Sequence, residues 1–106
     1  MNLPEPLPEY FAAANARDAD RVAACFAEDG AVHDEGHDIR GRDAVRAWAD
    51  ETGRKYRYRA DVLSVDQVAN STVVKARVTG EFPGSPVELA YRFKLSDRRI
   101  AALEIG

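Results

Sequence analysis

The chain has 106 residues, 45% of them hydrophobic, and its 18 acidic and 15 basic side chains leave a formal net charge of -3. That length and apolar share fit one globular domain over residues 1–106 and argue against intrinsic disorder. The acidic balance argues against a nucleic-acid partner, the lone Cys25 excludes an internal disulfide framework, and no apolar run is long enough to span a membrane. The N-terminus lacks a basic stretch followed by an apolar one, so no secretory signal is read and a cytoplasmic location is expected.

The proline-rich start, Pro4, Pro6 and Pro8, predicts an extended entry or a helix with proline in its first turn. Tyr10, Phe11 and Ala14 then form an apolar stripe on a helix over 9–16. Asp18 has the chemistry of an N-cap for a second helix over 19–27, with Val22, Cys25 and Phe26 on its buried face and Gly30 suited to end it. A short strand over 31–34, a turn at Glu35-Gly36-His37 and a return over 38–40 predict a hairpin. Ala44, Val45, Trp48 and Ala49 recur at helical spacing between Gly41 and Gly53, which brackets a third helix.

After Gly53 the period shortens to two, with strands expected over 56–68, 72–79, 87–95 and 98–105. Val87, Leu89, Tyr91, Phe93 and Leu95 alternate with Glu88, Arg92 and Lys94, so one face of this sheet is apolar and must be covered by the helices. Helices first and strands later give an α+β fold: three N-terminal helices on a curved, mainly antiparallel sheet, with a pocket where the two layers part.

Phe26-Ala27-Glu28-Asp29-Gly30-Ala31-Val32, Gly41-Arg42-Asp43-Ala44-Val45 and the run Val78 to Val87 resemble the nuclear transport factor 2-like superfamily, and within it the SnoaL-like branch that includes polyketide cyclases and ketosteroid isomerases. The resemblance covers nearly the whole chain. It implies a cone-shaped fold, a deep pocket, frequent homodimers and either enzymes or non-enzymes. It also implies where a site would lie. The isomerases' general base falls on Asp34, their oxyanion-donating tyrosine on Tyr10, and their second donor, a protonated aspartate, on Tyr91. The position of a further family tyrosine falls near Trp48-Ala49, where no hydroxyl is present.

The residues allow the same reading on physical grounds. Asp34 shares a strand face with Val32, which draws its carboxylate toward the interior and should raise its pKa. Tyr10 and Tyr91 lie on apolar faces, where a phenol can steady a developing oxyanion. Each also has a plainer reading: Asp34 as a turn-capping acid, the tyrosines as core residues. Val32, Trp48, Leu89 and Leu103 are expected along the pocket wall.

The expected activity is proton abstraction next to a carbonyl, in an isomerase, cyclase or dehydratase acting on a small hydrophobic or carbonyl-containing molecule. No cofactor and no metal are expected. His33 and His37 have a helical ligand spacing but sit at a turn, and a His–Asp acid-base pair is the weaker alternative. Arg54, Lys55, Arg57 and Arg59, interleaved with Tyr56 and Tyr58, read as a solvated face paired with acids such as Asp61 and Glu88, in preference to an anion site. A non-catalytic ligand-binding or dimerisation module is the reading from another class. An epoxide-hydrolase-type enzyme ranks last, because no arginine can be placed in the pocket from alternation.

Overall fold

The computed structural model describes residues 2–106. In chain order the elements are α1 (Leu7–Asn15), α2 (Ala19–Ala24), β1 (Phe26–Asp34), β2 (His37–Arg40), α3 (Arg42–Tyr56), β3 (Arg59–Val68), β4 (Ser71–Thr79), β5 (Val87–Ser96) and β6 (Arg99–Ile105). The strands form one sheet in the order β2-β1-β6-β5-β4-β3. All neighbours are antiparallel except β1 and β6, which run parallel. This is the expected α+β architecture, with a mixed, mainly antiparallel sheet. The parallel pair joins distant parts of the chain, so no tight turn dictates its direction.

Small side chains let α1 approach the sheet: Ala13 and Ala14 are buried beside Tyr10 and Phe11. The end of α1 is tied to β3 by a two-way amide link. Asn15 Nδ2 donates to the Ala60 carbonyl at 2.9 Å, and the Ala60 N–H donates to Asn15 Oδ1 at 2.8 Å. Asp18 caps α2 as expected, accepting the Arg21 N–H at 3.2 Å.

Two expected boundaries differ. The second helix ends at Ala24 rather than near Ala27, because the backbone from Cys25 onward belongs to the sheet. The Ile100 N–H donates to the Cys25 carbonyl at 2.8 Å, and Phe26 pairs with Ile100. Gly30 is therefore no helix cap. It lies in β1 where the register against β6 shifts, and a Cβ there would stand 3.0 Å from the carbonyl oxygens of Ala27 and Ile100. Cys25 is buried as expected, and burial pushes its thiol up to about 11.

The third helix runs past Gly53 to Tyr56. One glycine costs a helix only about 1 kcal/mol, which favourable packing outweighs. The helix stops at Arg57, whose φ of 45° is left-handed. Tyr56 and Arg57 are thus not strand residues, and β3 begins at Arg59. The β1–β2 hairpin closes on Glu35 and Gly36, both at positive φ (52° and 77°), the geometry that a two-residue turn of matching twist demands.

Pairing across the sheet arranges its inner face in rows. Val32 stands beside Leu103 and Leu103 beside Phe93; in the next row Ile105 stands beside Tyr91 and Tyr91 beside Val74; then Leu89 beside Ala76. The first row is sealed, with Val32, Leu103 and Phe93 all buried under the helices. The other two rows border a cavity through Ile105, Tyr91 and Leu89. The outer face carries exposed Lys75, Arg77, Glu88 and Arg92, as alternation predicts. No helix is long and apolar enough to cross a membrane among the described residues.

Candidate functional site

A cavity of about 440 Å³ lies where α3 and the sheet diverge. Four regions wall it: Asp34 and Glu35 at the end of β1, Trp48, Thr52 and Tyr56 on α3, Tyr58 in the link to β3, and inner-face or loop residues including Phe82, Leu89, Tyr91 and Ile105. Alternation sets Asp34 two residues beyond the buried Val32, so its side chain leaves the core just where the cavity begins.

Trp48 fixes that carboxylate. Its Nε1–H donates to Asp34 Oδ2 at 3.0 Å from across the cavity wall. Burial raises the Asp34 pKa above the usual carboxylate value; the Trp48 hydrogen bond offsets part of this, and the neighbouring Glu35 carboxyl adds to the rise. A carboxylate of this kind is a stronger base than an exposed one, yet it remains oriented.

The phenols stay protonated for a related reason. Burial pushes Tyr58 up to about 12, and the Asp34 carboxylate contributes. Burial also holds Tyr91 far above the ordinary phenol range, with Tyr58 and Asp34 adding to the shift. Both are therefore neutral hydrogen-bond donors near neutral pH, facing the side of the cavity that holds the one half-buried acid. Thr52 also lines the wall, but its hydroxyl is spent on the helix, donating to the Trp48 carbonyl at 2.9 Å.

The mouth is built from three elements. Tyr56 donates its hydroxyl proton to Glu35 Oε1 at 2.7 Å, and Phe82 meets the Tyr56 ring edge-on with centroids 5.9 Å apart. The loop carrying Phe82 is held against α3, since the Glu81 N–H donates to the Tyr56 carbonyl at 2.6 Å and the Gly80 N–H to Ser85 Oγ at 2.9 Å. Gly80 permits this approach: a Cβ would fall 2.7 Å from the Tyr56 oxygen.

Of the residues singled out from sequence, Asp34, Tyr91, Trp48 and Leu89 line this cavity. Tyr10, Val32 and Leu103 do not, which corrects the expected place of Val32 and Leu103 on its wall and of Tyr10 as a donor into it. Val32 and Leu103 face inward as alternation requires, but one row too deep, beneath the helices. Tyr10 is buried with its ring against Phe11 and Phe93, at centroid distances of 5.1 and 5.4 Å. Burial first, then the nearby Tyr58, Tyr91 and Asp34, keep its phenol protonated.

Tyr56 and Tyr58 were not expected in the site. Their alternation with Arg57 and Arg59 reads as a strand, whereas the left-handed turn at Arg57 sends both rings to the cavity. The accompanying arginines are solvated as expected: Arg54 pairs with Asp50, and Arg59 Nε lies 3.0 Å from Asp61 Oδ1. Glu88 is not among their partners. His33 faces away from Asp34 and pairs with Asp38 at 2.6 Å on the exposed outer face, so a His–Asp pair in the cavity is not formed. Among the described residues no group of three or more His, Cys, Asp or Glu side chains is placed to hold a metal ion.

The model of the SnoaL-like domain matches residues 7–103. The chain belongs to the SnoaL-like family. A solved structure from Sinorhizobium meliloti, described as a candidate polyketide cyclase, is 38% identical, covers 98% of this chain and 95% of its own, and superposes with a TM-score of 0.93. A Catenulispora acidiphila protein of ketosteroid isomerase-like fold, solved in complex with trimethylamine, is 18% identical with a TM-score of 0.85, covering 99% of this chain and 86% of its own. An NTF2-like protein of unknown function from Cytophaga hutchinsonii reaches 0.77 at 12% identity over 100% of this chain and 93% of its own. The last two establish the shared NTF2-like fold. No match is found among curated proteins.

Proposed function

We propose that this SnoaL-like protein is a cofactor-independent enzyme that removes a proton next to a carbonyl. The observation that carries the reading is the Asp34 carboxylate, raised in basicity by burial, aimed by Trp48 and set in one cavity with two neutral phenols. Asp34 takes the proton from the carbon. The C–H electron pair moves to form an enolate whose oxygen accepts from Tyr91 or Tyr58. The enolate then recovers the proton at another carbon, which is isomerisation, or attacks a second carbonyl whose oxygen takes the proton, which is cyclisation. Likeness to the Sinorhizobium protein described as a candidate polyketide cyclase supports the second course.

The donors matter because charge appears on oxygen only as the reaction proceeds, so preformed hydrogen bonds lower the barrier more than they strengthen ground-state binding. Tyr10 stands behind Tyr91 as a positioning residue, with ring centroids 6.5 Å apart.

The test is isomerisation of a small β,γ-unsaturated ketone, 3-cyclohexenone, followed by absorbance of the conjugated product. The native chain should accelerate it, and Asp34→Asn should lower the rate by about 10²–10⁴-fold. Tyr91→Phe should lower kcat more than it raises KM. Equal rates for the native chain and Asp34→Asn would overturn the reading.

A binding module without catalysis is the second reading, favoured by the Catenulispora relative that holds trimethylamine. It predicts a ligand held by the same cavity with no Asp34-dependent turnover.

A further inference from the structure

The cavity wall has an unbalanced chemistry. Trp48, Tyr56, Tyr58, Phe82 and Tyr91 give it five aromatic rings, and Asp34 and Glu35 two carboxyls. Among the described residues that line it, none is Lys, Arg or His. From this asymmetry we infer that the cavity selects organic cations, namely substituted ammonium compounds, over neutral or anionic molecules of the same shape.

Aromatic faces attract a cation through the ring quadrupole, and the attraction grows as water is excluded. A carboxylate reinforces it. An anion would meet the Asp34 carboxyl with no positive group in the lining, the Lys55 ammonium standing at the mouth beside Tyr56 and Glu35, so like-charge repulsion rejects it. A primary ammonium, whose single charge is concentrated on three hydrated N–H groups, loses more hydration on entry than an alkylated one, whose methyl groups also match the apolar wall of Leu89, Val78 and Val87.

The molecule already makes one such contact. Lys55 Nζ stands 5.0 Å from the centroid of the Tyr56 ring at the mouth, so one of the five rings is seen holding an ammonium. Lys55 itself lies outside the lining. The deeper rings, Trp48, Tyr58 and Tyr91, lie about Asp34 with no such cation in the lining beside them, and its Oδ2 accepts the neutral indole N–H of Trp48. That is where the ligand's ammonium belongs.

The inference rests on the cavity being the ligand site, as in the reading above, but not on proton transfer. Under that reading it names the substrate class: a carbonyl compound bearing an alkylated ammonium group, which also acidifies a neighbouring C–H bond. Asp34 would then attract the ammonium and take the adjacent proton.

Three isosteric probes test it: choline, neutral 3,3-dimethylbutan-1-ol and anionic 3,3-dimethylbutanoate, each titrated by NMR against the native chain at low ionic strength. Choline should bind about tenfold tighter than the alcohol, and the alcohol tighter than the acid. Asp34→Asn, which removes the charge and keeps an acceptor for Trp48, should narrow the ratio of choline to alcohol affinity several-fold. Choline binding no tighter than the alcohol, or the acid binding best, would overturn the inference. So would a choline preference unchanged in Asp34→Asn, which would place the cation away from that carboxylate. Asp34-dependent isomerisation without a choline preference would sink this inference and leave the proton-transfer reading standing. A choline preference without any Asp34-dependent turnover would do the reverse.

Discussion

The two ends of one sheet surface show how similar residues become core in one place and site in another. Phe93 and Tyr91 lie two residues apart on β5, facing the same way, with rings stacked at 6.2 Å and 14°. Phe93 lies in the closed row, where the Tyr10 and Phe11 rings of α1 meet it at 5.4 and 6.0 Å. Tyr91 still touches Phe11 at 5.2 Å, but its other side looks into the cavity. The difference lies in what covers each row. The Tyr10 and Phe11 rings of α1 close over Phe93, whereas beyond Tyr91 the sheet faces Trp48 and Thr52 of α3 across the cavity. The open row keeps the polar groups, Asp34 among them, because only there can a carboxyl avoid full desolvation.

Truncation at the two rows should break the comparison most plainly. Phe93→Ala removes a ring enclosed on all sides and should cost about 3–5 kcal/mol, measured by urea unfolding. Leu89→Ala, on the cavity wall, should cost distinctly less, since its side chain already borders empty space. Equal losses at the two positions would mean that the cavity wall is as tightly packed as the core.

The hold on α1 gives the next effect. Asn15→Ala leaves the Ala60 N–H and carbonyl without their partners and should cost about 1–3 kcal/mol. It should also loosen the closed row ahead of the open one, which amide hydrogen exchange along β3 and β5 would register.

The smallest effect is one of pH, and it sharpens the contrast from the open side. The folded-state pKa of Asp34 is raised by burial, so its protonated form favours the fold. That contribution is fully present below the unfolded value near 3.8 and is lost as pH rises through the folded one. Asp34→Asn keeps an acceptor for Trp48 and never ionises. Its stability relative to the native chain should therefore increase as pH climbs from about 4 toward neutrality. A difference that is flat across that range would show that the carboxyl is hydrated in the folded state.

Much of this was legible in residue order. Alternation along β4 and β5, the Asp18 cap, the Glu35-Gly36 turn and the Gly41 start of α3 are local matters of sterics and hydrogen bonding, readable within a few residues. So was the inward direction of Asp34, because Val32 two places earlier fixes the face. The errors came where a distant strand or a single backbone angle intervened. Phe26 joined β1 because β6, far along the chain, offered it a partner. Tyr56 and Tyr58 reached the cavity because Arg57 adopts a left-handed conformation that the strand-like alternation conceals. Tyr10, Val32 and Leu103 were given the right face but the wrong depth.

Sequence by itself determined which elements form, which face of each is apolar, and that an acid and several phenols point inward. Those properties follow from short-range periodicity and the chemistry of each side chain. Only tertiary structure decided how far each helix stands from the sheet, and hence which inward-facing residues are sealed and which surround open space. Depth depends on helix-to-sheet distance, a sum over many contacts between remote segments, and no local pattern encodes it.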